Sequence, residues 1–217
     1  MTLADIDKLQ LQAIELDGRP LPDVRMTEAE FENWLDEDIR AEWVNGEVTM
    51  MSPANTEHIE LNGWLWQVLA GFAEHHEAGR VFGIEMQVRF PRLKRRRNPD
   101  LLFVSSRNQN LIKKTYIDGP PDLVMEIVSP DSESRDWRDK FIDYQSANVR
   151  EYWIIDPNSQ RVEAYTLQPR TKRYTRIPES AARIPSKILR GFYLRPEWLF
   201  SSPLPKVAAI LKELKVR

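Results

Sequence analysis

Apolar residues recur at every third or fourth position between residues 56 and 77. Ile59, Leu61, Trp64, Leu65, Val68, Leu69 and Phe72 line one side of a predicted helix that Gly79 ends. The period then changes to two. Residues 81–90 alternate as a strand does, and residues 101–104 and 123–128 are short apolar runs rich in strand formers. Helical spacing returns over 134–147, with Trp137, Phe141 and Tyr144 on one face. Residues 151–155 predict a strand, 162–167 and 174–177 an antiparallel pair, and 204–215 a terminal helix. Near the start, Thr27-Glu-Ala-Glu30 is a capping box ahead of a short helix over about 28–36. Residues 40–44 and 47–51 flank Asn45-Gly46, a strong hairpin signal, and Ser52-Pro53 closes the hairpin.

The central order is helix, three strands, helix, strand. It predicts a mixed α/β fold whose two main helices cover a central sheet. Residues 1–25, with Pro20 and Pro22, read as a lead-in, and 26–217 as a single domain without repeats or a linker. At 217 residues, 41% hydrophobic and 29% charged, the chain suits one globular core. It has no Cys, which excludes a disulfide framework and a thiolate metal site. No apolar run reaches membrane-spanning length and the N-terminus is not a signal peptide, so a cytoplasmic protein with no membrane partner is expected. The net charge of −2 means that nucleic-acid binding would rest on local basic patches.

One residue breaks the pattern. In the 121–130 stretch, Leu123, Met125 and Ile127 share one strand face and Asp122, Val124, Glu126 and Val128 the other, so Glu126 sits among apolar neighbours. A buried carboxylate is costly unless it is paired or binds a cation. With Asp100 on a neighbouring strand it would form an oxygen-rich site suited to Mg²⁺ or Mn²⁺. The plainer alternative is a structural pairing of Glu126 with a buried Lys or Arg. There is no Gly-rich phosphate loop and no Gly-x-Ser-x-Gly elbow.

These motifs stand in a recognisable order. They are Glu42-Trp-Val-Asn-Gly-Glu47, Ser52-Pro53 with His58 following, Pro99-Asp100-Leu-Leu-Phe-Val, and Pro121-Asp-Leu-Val-Met-Glu126-Ile-Val-Ser-Pro130. Asp136 to Lys140 and Tyr144, Glu151-Tyr-Trp-Ile-Ile-Asp156-Pro157 and Gly191-Phe-Tyr-Leu complete the series. Over about residues 26–200 the chain resembles the Uma-two family of endonucleases, within the restriction-endonuclease-like PD-(D/E)XK superfamily. The resemblance implies an αβββαβ core and a metal-dependent nuclease. It makes Asp100 and Glu126 metal ligands and catalytic residues. In the superfamily a Lys follows the second acid by two positions, but Val128 stands there. The resemblance moves that role onto the next helix, to Lys140, which would stabilise developing charge or orient water.

His58 shares the long helix's apolar stripe. It is either a hydrogen-bonded core residue or an accessory to the site. Glu42 and Tyr144 are further accessory candidates, against the alternatives of a surface acid and core packing. Lys94, Arg95, Arg96 and Arg97, read as a basic loop over 91–98, precede Asp100 and suit DNA phosphate contacts. The leading function is a DNA endonuclease. The alternative is a catalytically inactive nuclease-fold protein acting as a nucleic-acid-binding or interaction module. Seven Trp offer area for a homodimer interface.

Overall fold

Thr27 caps the first described helix as its sequence predicts. Its hydroxyl accepts the Glu30 N–H at 3.3 Å, and the Glu30 carboxylate accepts the Thr27 N–H at 2.7 Å. The computed structural model describes residues 20–35, 39–83, 85–129 and 135–216. Along the chain run β1 (Pro20–Arg25), α1 (Glu28–Trp34), β2 (Ala41–Val44), β3 (Glu47–Met50) and α2 (Thr56–His75). Strands β4 (Gly79–Gly83), β5 (Gln87–Phe90), β6 (Arg95–Arg97), β7 (Leu101–Ser105), β8 (Tyr116–Asp118) and β9 (Leu123–Ile127) follow. Helix α3 (Arg135–Ala147) leads into β10 (Glu151–Asp156), β11 (Arg161–Leu167), β12 (Tyr174–Arg176), β13 (Ile184–Pro185) and β14 (Tyr193–Leu194). The short helices α4 (Pro196–Leu199) and α5 (Val207–Glu213) come last.

Among the described residues twelve strands form two six-stranded sheets, ordered β1-β3-β2-β6-β5-β8 and β12-β11-β10-β9-β7-β4, and β13 pairs with β14 in a separate ribbon. In the second, β9 pairs antiparallel with β7 and parallel with β10, and α3 makes the crossover. One face of this sheet takes the apolar stripe of α2, where Leu65, Val68, Leu69 and Phe72 pack with Leu101, Phe103, Met125 and Trp153. The other face carries Leu102, Val124 and Ile154. It meets Tyr144 from α3 and Val88, Phe90 and Ile117 from the first sheet. The central sheet is therefore covered on both faces, and the period-two split of residues 123–128 is the split between the two cores.

Asn45 (φ 55°) and Gly46 (φ 97°) make the turn between β2 and β3, both in the left-handed region that this two-residue hairpin needs. Three expectations change. Residues 81–90 are two strands in different sheets, because β4 extends the central sheet while β5 leaves it to pair with β6 and β8. The end of the expected lead-in is a strand, β1, on the edge of the first sheet against β3, and residues 1–19 lie outside the described residues. The expected basic loop is a short 3-10 turn, Pro91–Leu93, followed by strand β6. Among the described residues no helix is long and apolar enough to cross a membrane.

Candidate active site

Antiparallel pairing of β7 with β9 sets Leu101 against Met125, and one step further sets Asp100 across from Glu126. Both acids are buried, at 8% and 7% exposure. The other Pro-Asp pair lies at the far end of the same strands. There Asp122 accepts from Ser105 N–H and pairs with Arg150 at 2.9 Å, a clamp on the strand ends.

Asp100 is gripped from two sides. One oxygen accepts the Ile127 N–H at 2.7 Å, and the other lies 3.0 Å from His58 Nε2. The Asn62 side chain, one turn along α2, donates to the Asp100 carbonyl at 2.9 Å. His58 is thus placed by the helix that covers the opposite face of the sheet. Burial disfavours its charged form, but the hydrogen bond and charge of Asp100 outweigh this and raise its pKa. Beside it a cleft of about 30 Å³, water-sized, is lined by Asn55, His58, Ile127, Ser129 and Asn158.

Glu126 is held from α3. Lys140 Nζ donates to one oxygen at 3.0 Å and the Tyr144 hydroxyl to the other at 2.6 Å. The i, i+4 spacing of Lys140 and Tyr144 is what lets both reach one carboxylate. The side chains of Asp136 and Trp137 lie outside the described residues. Burial pushes the Glu126 pKa up to about 7, with the charges of Asp100 and Glu42 adding to it and Lys140 and Tyr144 opposing. The Tyr144 hydroxyl is itself driven well above its ordinary value by burial and the nearby acids.

Glu42, at 3% exposure, closes the other side of Lys140, 3.8 Å from its ammonium. Its oxygens accept the Asn98 N–H at 3.0 Å and Arg97 Nη1 at 2.6 Å. Burial would raise its pKa, yet the Arg97 and Lys140 charges win and hold it below its usual range. Arg97 also grips Asp143 through Nη2 at 2.6 Å and Nε at 3.0 Å.

The basic stretch is therefore not a solvent-facing loop. Arg96 is 2% exposed, bound to Glu28, Glu32 and Gln87, with its guanidinium over the Tyr116 ring. Buried arginines so engaged cannot also grip a DNA phosphate, so that expectation fails for Arg96 and Arg97. Arg95 is half-buried, contacting Asp143 at 3.3 Å, and Lys94 is exposed at a left-handed turn (φ 52°). The physical reason is strand alternation across β6, with acids from α1, β2 and α3 meeting its guanidinium groups. Sequence reasoning missed Asn62, Asp143 and the site role of Arg97. Asp143 had a signal, since it lies three residues after Lys140 on one helix face. Arg97 had none.

The donor set fits a hard divalent cation. Asp100 and Glu126 offer carboxylate oxygens, and burial, with the neighbouring acids adding to it, raises the Glu126 pKa. Among the described residues no group of three His, Cys, Asp or Glu is disposed to hold a metal. Two carboxylates suit Mg²⁺, which keeps several waters and takes oxygens from substrate phosphate.

A family model described as Uma2, putative restriction endonuclease, matches residues 28–197. Among solved structures the fold is similar to a putative nuclease belonging to DUF820 from Anabaena variabilis ATCC 29413. The TM-score is 0.67 at 19% identity, covering 81% of this chain and 97% of that one. A comparison with curated proteins found no match.

Proposed function

The chain belongs to the Uma2 family of putative restriction endonucleases, and on that premise we propose that it is a metal-dependent nuclease that hydrolyses phosphodiester bonds in DNA. The observation that carries this reading is the meeting of two buried acids with a buried lysine: Asp100 opposite Glu126, and Lys140 at 3.0 Å. Buried carboxylates elsewhere in the chain, such as Asp122, are fully engaged in structural pairs, whereas Asp100 and Glu126 face one another with a lysine beside them.

Asp100 and Glu126 would hold Mg²⁺ or Mn²⁺. When bound, such a cation polarises the phosphate and lowers the pKa of a coordinated water. His58 orients Asp100, and Tyr144 fixes the Glu126 carboxylate. Lys140 supplies an ammonium where negative charge develops on the phosphate, an interaction that strengthens in the transition state and so acts on rate. The water-sized cleft lies beside His58, whose ring contacts Asp100. Lys94 and Arg95 are the residues of the basic stretch left to meet the phosphate backbone.

The test is plasmid nicking with Mg²⁺, with Mn²⁺ and with chelator, alongside Glu126→Gln. Metal-dependent nicking by the wild type, absent in the variant, is expected. DNA binding without metal-dependent nicking would make the chain an inactive nuclease-fold binding protein. Single-stranded DNA and RNA as parallel substrates define the nucleic-acid class, and light scattering tests the expectation of a homodimer.

A further inference from the structure

Resting on that reading of the site, we infer that Arg97 is a positioning residue that reserves Lys140 for Glu126. Two buried carboxylates flank one ammonium. Lys140 lies 3.0 Å from Glu126 but 3.8 Å from Glu42, beyond hydrogen-bond reach of the second. Arg97 accounts for the asymmetry. Its Nη1 lies 2.6 Å from Glu42 Oε2, and the Asn98 N–H takes the other oxygen at 3.0 Å. Both Glu42 oxygens are thereby met without Lys140.

The other edge of the guanidinium holds Asp143, three residues after Lys140 on α3. Arg97 therefore also ties β6 to the helical turn that carries the lysine. The β2–β6 register pairs Trp43 with Arg96, which brings Glu42 and Arg97 side by side on neighbouring strands. Its fork geometry allows one side chain to serve two carboxylates, which a lysine point charge does less well. Without Arg97, Glu42 is a buried, uncompensated anion, and the nearest ammonium is Lys140.

The test uses Arg97→Met, the milder Arg97→Lys, and Arg97→Met combined with Glu42→Gln. Three measurements are made on each: cleavage at saturating DNA, Mg²⁺ or Mn²⁺ affinity by calorimetry, and a crystal structure. In Arg97→Met, kcat should fall about 10–10²-fold, short of the ~10²–10³-fold for losing a charge-stabilising donor outright. Metal should bind more tightly, because the ammonium competing for Glu126 has moved away. The Lys140 ammonium should lie nearer Glu42 than Glu126. Arg97→Lys should fall between, and Glu42→Gln should restore kcat in the double variant by removing the competitor. Loss of metal affinity together with kcat, without rescue by Glu42→Gln, would make Arg97 merely structural. Unchanged kcat with Lys140 still on Glu126 would also overturn the inference. If the wild type cleaves nothing, the nuclease reading fails, while the metal affinities and the position of Lys140 still decide the role of Arg97.

Discussion

On one side of Lys140 lies a wall of matched charge, and on the other a pocket of unmatched charge. Glu42, Arg97 and Asp143 form the wall, where each acid meets a guanidinium N–H at 2.6 Å. Asp100 and Glu126 form the pocket, supported by one lysine, one tyrosine hydroxyl, a histidine and a backbone N–H. Burial is comparable on the two sides, yet the Glu42 pKa is lowered while that of Glu126 climbs to about 7. Desolvation alone thus does not mark a functional acid. The two sides differ in the balance of nearby charge, and a buried ion pair with its hydrogen bonds filled is a finished structure. On the function proposed above, the pocket is where a cation would supply the missing positive charge.

The strongest way to break this contrast is to neutralise the pocket. Glu126→Gln keeps the shape and removes the charge, so metal affinity and cleavage should fall together to the metal-free background. Added Mg²⁺ should raise the melting temperature of the wild type by binding the folded state, and this shift should vanish in the variant. An equal shift in both proteins would put the metal elsewhere.

Lys140→Ala comes next. Cleavage should drop about 10²–10³-fold, by analogy with removing one oxyanion donor. Metal binding should survive or tighten, since no ammonium then competes for Glu126. A variant that cleaves normally would remove Lys140 from the reaction.

Tyr144→Phe sharpens the contrast through stability. It leaves a buried carboxylate oxygen without its donor, at a cost of about 1–3 kcal/mol. The hydroxyl favours the charged carboxylate, so the cost should shrink at pH 5, where Glu126 is protonated, and be full at pH 8. Urea denaturation at the two pH values reads the difference, and a cost independent of pH would trace it to packing.

The pocket should also show itself in the pH dependence of metal-free wild type. Glu126 is raised from an ordinary 4.5 to about 7, so the fold binds more protons than the unfolded chain between those values. Its contribution is present below about pH 4.5 and lost as pH rises towards 7. His58, also raised, acts in the same sense, giving up stability as pH rises through its folded value. Melting temperature should therefore decline across this window, and Glu126→Gln should flatten the decline. An equally steep decline in the variant would assign it to His58 or to other groups.

The smallest effect belongs outside both regions. Lys94→Gln, at an exposed position, should change stability by less than about 0.5 kcal/mol and leave kcat intact. If Lys94 meets a phosphate, the salt dependence of DNA binding should flatten by about 0.9 in slope. An unchanged slope would move the nucleic-acid path away from this turn.

The periodicities were sufficient for most of the architecture. The capping box at Thr27, the turn at Asn45-Gly46, the long apolar helix and the two faces of the 123–127 strand all follow from interactions within a few residues. Glu126 was conspicuous for the same reason, as an acid in an apolar row, and Lys140 and Tyr144 shared one helical stripe. Tertiary structure decided what depends on distant neighbours. Residues 81–90 look like one strand because alternation reports a pleat and not the sheet it joins, yet β4 and β5 part company between sheets. Arg96 and Arg97 look like surface charge because arginine usually is. They are buried because Glu28 and Glu32, more than 60 residues away in sequence, and Glu42 with Asp143, arrive to satisfy them. Whether a charge is solvated or paired is settled by which acids pack against it, and with 31 basic and 33 acidic residues in the chain, no local pattern selects the partners.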